Sequence, residues 1–599
     1  MPKKIQNSIA PSAANPFSDS QARNYSDRRV VTEFCPVSNF WSLFNDQHEI
    51  LIGTRGCGKT ILLKMMRYSM LNKLNDSQAK KIIKDKNYIS FYVPLHLEYI
   101  KKISDSSRSV DAKVAWFRFA FNCALAQSLI IEISELLKDL YPDELARIKI
   151  EYELVKSIDQ CWMIDSSSSV FQFKDLRDKV NKLFYRINPA SEDLSVVPST
   201  FTHSLGSTLS SISDIVCEKL NISPTWIVCI DEAEFLDECY QRCINTAFRS
   251  DSNRIAFKMA TLPFYHATKN TLDERIDVMD GQDFKYTLVD MKYDSIDFIS
   301  LTNSLVKSRF HSEECNFERL EDFVETIGND NYIDYYASEF GKKLPEVIEN
   351  EIWNQLSESS KRHNSGKAKS QIKKPIIDKL APIFYLREVY KRKKGRYTPG
   401  WYAGASMVRR VAQGNPRIFI RIMNELYNGA KGSSLPLSLK KQSKIILNFS
   451  DSFCNETQTL ERSGPEAKRH LEYIAQTLHA HTHDSKLVQS GVSFRLADNT
   501  NLLKHKLWIE KSIAFSRLIV DDNSLKTQIT NETVFHMAHI FAVKYWLPMR
   551  THASPIKLIL QENMEPTYIV SKPNRSNKKK TNVQVNGEQI SLKLGDIIQ

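Results

Sequence analysis

The sequence predicts an α/β protein in which a parallel five-stranded sheet carries helices on both faces and a long helical insertion interrupts the order. Three observations lead there. A strand, a glycine-rich turn and an apolar helix follow one another over residues 48–66. A second apolar strand ends abruptly in two acids, Asp231 and Glu232. Three further strand-like runs alternate with helical stretches, the order that builds parallel sheets.

The first strand is His48-Glu49-Ile50-Leu51-Ile52, and Gly53-Thr54-Arg55-Gly56-Cys57-Gly58-Lys59-Thr60 follows it, matching the phosphate-loop pattern of Gly, four residues, Gly-Lys-Thr. Glycines let the backbone turn tightly and aim N–H groups at phosphate oxygens, and the positive end of the next helix favours their charge. Lys59 is expected on the β- and γ-phosphates of ATP, and the Thr60 hydroxyl on Mg²⁺. Upstream, Phe34, Phe40, Trp41 and Phe44 either pack near the adenine or simply fill the space under the first strand.

Ile89–Leu95 reads as the second strand, and residues from about 100 to 215 as the helical insertion, with Ser166–Ser169 and Ser207–Ser211 as loops within it. In Trp226-Ile227-Val228-Cys229-Ile230-Asp231-Glu232-Ala233-Glu234 the strand end places Asp231 to hold Mg²⁺ and Glu232 to polarise an attacking water. A helix starting near Phe235 carries Phe235, Leu236, Cys239, Tyr240, Cys243, Ile244, Ala247 and Phe248 as a core stripe. Arg254–Thr261 is the fourth strand; Thr261 at its end either touches the γ-phosphate or caps the strand. Asp283–Val289 is the fifth.

The 599 residues exceed one ordinary core, so several domains are expected. The start of the chain does not read as a signal peptide and no apolar run reads as a bilayer span, so a cytoplasmic protein is expected. Ten scattered cysteines, several in apolar runs, fit free thiols in a reducing compartment. Cys239 and Cys243 share a helix face but have no second ligand pair near them in sequence. A net charge of +12 favours polyanionic partners. Between Lys361 and Arg396 thirteen Lys or Arg stand against two acids, a net +11 that accounts for nearly all of that excess. Phe384, Tyr385, Tyr390, Tyr397, Trp401 and Tyr402 interleave with these charges, as on a surface that neutralises phosphates and stacks on bases; a solvated loop is the alternative.

Together with Gly414-Asn415-Pro416-Arg417, which is similar to a Gly-x-Pro-Arg sensor 2 motif, the two site motifs make the chain resemble AAA+ ATPases of the origin-recognition and replication-initiator type, including bacterial relatives. The resemblance implies ATP hydrolysis with Mg²⁺, Thr261 as sensor 1, Arg417 as sensor 2, and an arginine finger offered to a neighbouring subunit of a homo-oligomer, for which Arg275 is the nearest match. Asp273-Glu274-Arg275-Ile276 lacks the usual Ser-Arg-Phe, and the helical insertion exceeds the family's plain pattern.

The resemblance also implies a C-terminal winged helix, which binds DNA or docks proteins. Residues 465–550 fit it as a helix from Pro465 to about Leu478, a helix near Asn501–Ser516, a wing at Leu518–Leu525 and a helix from Glu532 to Trp546. The expected organisation is an N-terminal arm (1–45), a P-loop core (46–292), a helical lid with the basic stretch (293–435), a winged-helix-like domain (436–555) and a basic linker with a hairpin tail at Asn586-Gly587 (556–599). His479, His481 and His483 read as an exposed histidine-rich helix end in preference to a metal site. The function expected is an ATPase coupling nucleotide state to DNA or a DNA-bound partner, in anti-phage defence or mobile-element maintenance. The alternative is a STAND-like ATPase that assembles a platform for a separate effector protein. No nuclease, protease or membrane-pore signature is visible.

Overall fold

The structure, a computed structural model, describes residues 9–10, 13–20, 25–164, 169–187, 194–250, 254–310, 317–326, 332–355, 374–392, 400–460, 463–483, 493–526, 528–549 and 555–560. They fall into two compact units, Gln21–Asp290, and Met1–Ser20 together with Met291–Gln599.

The Gln21–Asp290 unit is built on five strands: β1 (Glu49–Ile52), β2 (Tyr88–Val93), β3 (Thr225–Ile230), β4 (Ile255–Thr261) and β5 (Lys285–Leu288). Every pairing is parallel and the order is β2-β3-β4-β1-β5. β1 and β4 are buried along their whole length, as strands covered on both faces must be. The phosphate-loop strand β1 and the acid-tipped strand β3 are therefore separated by one strand, β4, whose Thr261 lies beside Ile52 at the carboxyl end.

Local chemistry sets the strand limits. β2 stops at Val93 because Pro94 has no N–H for the ladder. β5 begins two residues later than expected, since Asp283 and Phe284 are held in a turn: the Asp283 carboxylate accepts from Met279 N–H at 2.8 Å, and Gly281 N–H donates to Phe284 O at 2.7 Å. After β3 the chain makes a short turn of 3₁₀ helix, Ala233–Phe235, before helix Glu238–Arg249. The expected helix start at Phe235 is thus corrected, and Phe235 is 48% exposed instead of part of the core stripe.

Between β2 and β3 lie helices Val110–Leu140, Glu144–Trp162 and Phe173–Arg186 and several shorter ones. Contrary to the sequence reading, Val110–Leu140 is long and apolar enough to cross a membrane; 78% of its most apolar window is buried inside the protein, which accounts for that composition. The serines at 207–210 form a helical turn, not a loop. Asn122 holds it, accepting from Gly206 N–H at 3.0 Å and donating to Phe201 O and Ser204 O at 3.1 and 2.8 Å. Of the other serine stretch, residues 166–168 lie outside the described residues. Phe34, Phe40 and Phe44 join a core cluster with Leu63, Met65 and Met66.

In the other unit the N-terminal segment is pinned down. Ile9 and Phe17 are buried, Phe17 meets Phe310 edge-on at 5.4 Å, and the Arg309 guanidinium donates to Pro16 O and Asp19 O at 3.3 and 3.1 Å. Four of the six aromatics proposed for base stacking are packing instead. Tyr385 and Tyr402 are fully buried, Phe384 and Trp401 nearly so, and the rings of Tyr385 and Trp401 are 4.3 Å apart. Most of the basic stretch (361–373 and 393–396), Tyr397 and the 561–599 tail lie outside the described residues.

A second sheet holds β6 (Ser493–Leu496), β7 (Leu518–Ile519), β8 (Phe535–Met537) and β9 (Ile556–Leu558) in the order β7-β8-β6-β9. Helices Gly464–His483 and Asn499–Ala514 flank β6 in sequence. The helix expected from Glu532 begins instead as β8, where Phe535 pairs with Phe494 of β6, and only His539–Lys544 is helical. The histidine-rich helix end is buried at His479 and half-buried at His481 and His483, not exposed. His479 Nδ1 lies 2.8 Å from Tyr545 O and His483 Nε2 2.8 Å from Trp546 O, while burial pushes His483 down to about 3.

Candidate nucleotide site

Gly53–Thr60 connects β1 to helix Lys59–Met66. Gly56 and Gly58 take φ of 93° and 111°, a region that side chains with a Cβ avoid. A Cβ on Gly53 would lie 2.5 Å from Cys57 Sγ. Lys59 is buried, and its ammonium donates to Gly53 O at 2.6 Å and Thr54 O at 3.2 Å, inside the turn of the loop. Burial pushes the adjacent Cys57 thiol up to about 12. The loop's entrance is tied to Asp290, just after β5: Thr54 N–H and hydroxyl both donate to its carboxylate, at 2.9 and 2.6 Å.

At the end of β3 the Asp231 carboxylate is buried and engaged at both oxygens. Tyr92 OH donates to Oδ2 at 3.0 Å and Glu232 N–H to Oδ1 at 2.9 Å. Glu232 sits in the left-handed region, φ 59° and ψ 34°, a strained conformation for a non-glycine residue. Two residues on, Glu234 Oε2 is buried with no hydrogen-bond partner among the described residues. Burial raises the Glu234 carboxyl; the charge of Lys59 opposes this and those of Asp231 and Glu232 add to it. Lys59, Asp231 and Glu232 thus all act electrostatically on the Glu234 carboxyl.

Thr261 is buried, and its hydroxyl has no hydrogen-bond partner among the described residues. Its carbonyl accepts from Gly53 N–H at 3.4 Å, which puts it against the first residue of the phosphate loop. Thr60 is the second residue of the helix that follows the loop. The Arg275 side chain is 88% exposed and forked on Asp273, with contacts of 2.8 and 2.9 Å. Arg417 belongs to the other unit, in the first turn of helix Pro416–Ala430, where the Asn415 side chain accepts from Arg417 N–H at 3.1 Å.

Sequence reasoning missed Tyr92, Asp290 and any role for Glu234. The available signal was position: Tyr92 and Asp290 are polar groups at the carboxyl ends of strands, where open parallel sheets bind ligands.

The parallel order β2-β3-β4-β1-β5, with a phosphate loop after β1 and an acid pair after β3, defines the class as a P-loop nucleotide-binding protein of α/β type. A family model described as ORC-CDC6-like matches residues 15–558, and the chain belongs to that family of origin-recognition and Cdc6-type AAA+ ATPases. No curated protein matches the chain.

Proposed function

We propose that the chain is a cytoplasmic ATPase that binds and hydrolyses ATP and couples its nucleotide state to the holding of DNA or a DNA-bound partner. The observation that carries hydrolysis is the strained backbone of Glu232, locked by its N–H on Asp231 Oδ1. A carboxylate placed there suits a base for an attacking water; binding alone does not need it. Gly53 to Thr60 would cradle the phosphates, and Thr60 with Asp231 would hold a Mg²⁺ ion that neutralises their charge. Thr261, whose hydroxyl has no partner among the described residues, would supply a phosphate sensor. Arg417 is the sensor 2 candidate from the family pattern, and exposed Arg275 the group offered to a neighbouring copy. Nine described cysteines are free, as in a reducing compartment.

Glu232→Gln tests this: ATP binding should persist while phosphate release falls about 10²–10⁴-fold, and unchanged turnover would overturn the role. DNA contact is supported by the +11 stretch and by the order helix, β7, β8 that a winged helix requires. Neutralising Lys391, Arg392, Lys393 and Lys394 should lower the salt slope of duplex binding, by up to about 0.9 for each phosphate that is no longer neutralised. An unchanged slope, with ATP-driven assembly in the absence of DNA, would favour the platform for a separate effector.

A further inference from the structure

We propose that Glu466, His470 and His505 form a three-ligand site for a divalent transition metal ion of the zinc class, joining two helices beside the second sheet. Glu466 and His470 are four residues apart on helix Gly464–His483 and so share a face; His505 comes from helix Asn499–Ala514. Glu466 Oε1 lies 3.9 Å from His470 Nε2 and 3.7 Å from His505 Nδ1, and the three ligand atoms all lie within 4.8 Å of one another.

Metal–ligand distances of about 2.0–2.2 Å in a tetrahedron put ligand atoms roughly 3.3 Å apart, so the two Glu466 contacts need to close by about half an ångström each and the two imidazoles by up to about 1.5 Å. Two imidazoles and one carboxylate suit zinc, and the fourth position is left for water.

The surroundings are those of a held ligand set. His505 is 3% exposed, and its Nδ1 faces Glu466 with no hydrogen-bond partner among the described residues. Its other nitrogen, Nε2, lies 3.4 Å from Leu560 O. A hydrogen bond there places the proton on Nε2 and leaves the Nδ1 lone pair for a cation, as outer-shell carbonyls do for metal-binding histidines. Leu560 is itself fixed by Asn501, whose side chain donates to Leu560 O at 2.8 Å and accepts from Leu560 N–H at 3.1 Å. His470 is stacked on Trp508, with centroids 5.1 Å apart and planes 14° from parallel, which fixes its ring. Glu466 is 39% exposed and gives an ion its way in.

The test uses the full chain, stripped with a chelator and titrated with ZnCl₂ against a competing chromophoric chelator, with thermal unfolding measured in parallel. The wild type should take up one tight equivalent of zinc and melt at a higher temperature with it. Glu466→Gln and His505→Gln should each weaken that equivalent by at least about tenfold and abolish the shift. Equal zinc affinity in the wild type and both variants, or no tight equivalent in the wild type, overturns the site. Should the buried His505→Gln chain fail to fold, the half-exposed Glu466→Gln decides alone.

Discussion

Thr54 and Asp290 are joined through both donors of the threonine: its backbone N–H reaches Asp290 Oδ2 at 2.9 Å and its hydroxyl reaches Oδ1 at 2.6 Å. The first turn of the phosphate loop is thereby anchored to the last residue of its unit. Hydrogen bonds to an ionised acceptor contribute about 1.5–3 kcal/mol, more than neutral ones. Asp290→Ala should therefore lower the stability of the Gln21–Asp290 unit by about 1–3 kcal/mol. It should also weaken ATP binding, because the loop entrance must then be ordered by the ligand. Denaturant unfolding and titration with a fluorescent ATP analogue read the two effects separately; Asp290→Asn, which keeps the shape and loses the charge, should fall between.

The motifs that announce the site are local, and that is why they were legible. Gly53 to Thr60 and Ile230 to Glu234 each carry their chemistry within one turn of chain. The groups that hold them are remote in sequence: Tyr92 is 139 residues from Asp231, and Asp290 is 236 from Thr54. Strand order brings these together, and no periodicity reports it. The same blindness misplaced Tyr385 and Trp401, whose basic neighbours suggested a surface while their own partners are one another. His479 and His483 looked exposed because the carbonyls that receive them, on Tyr545 and Trp546, are more than sixty residues away. The parallel sheet was readable because alternating buried strands and helices admit few other arrangements.

Gly414 makes a structural demand inside a motif usually read for its arginine. Its φ is +74°, and a Cβ there would lie 1.8 Å from Met291 O, a backbone atom that cannot rotate away. Gly414→Ala should cost at least about 2 kcal/mol from backbone strain and overlap together, read as a lower unfolding midpoint.

Across the sheet from β4 to β1, Lys258 and Glu49 form a buried ion pair at 2.9 Å; Lys258 also donates to Asn45 Oδ1 and Gln47 O, and Thr287 donates to Glu49. Lys258→Met leaves an unpaired buried carboxylate and should cost about 3–5 kcal/mol, whereas Lys258→Met with Glu49→Leu should recover much of it. Acid should act here too. Burial raises the Glu49 carboxyl, but Lys258, Thr287 and Asn45 outweigh it and leave the carboxyl below its ordinary 4.5. Its stabilisation is present above 4.5 and is lost as pH falls through the lower folded value. Burial and the Lys258 charge lower neighbouring His48 from 6.5 to about 4, so the unfolded chain binds the extra proton first and stability already declines between those values. Urea midpoints measured from about pH 7 to 4 should fall, and less steeply in His48→Gln.

The Thr261 hydroxyl is buried without a hydrogen-bond partner among the described residues, at the carboxyl end of β4 and beside Gly53. An oxygen in that condition burdens the fold unless something else uses it, because burial of an unmet polar group costs about 1–3 kcal/mol. Thr261→Val keeps the β-branched shape that fits the strand and removes the oxygen. If the hydroxyl serves the γ-phosphate or the attacking water, the variant should be as stable as the wild type or slightly more so, with ATP turnover reduced about 10–100-fold and ATP affinity changed far less. A merely structural hydroxyl predicts unchanged turnover. Unfolding midpoints and steady-state phosphate release on the same preparation distinguish the two, and a loss of turnover without loss of stability assigns Thr261 to the nucleotide.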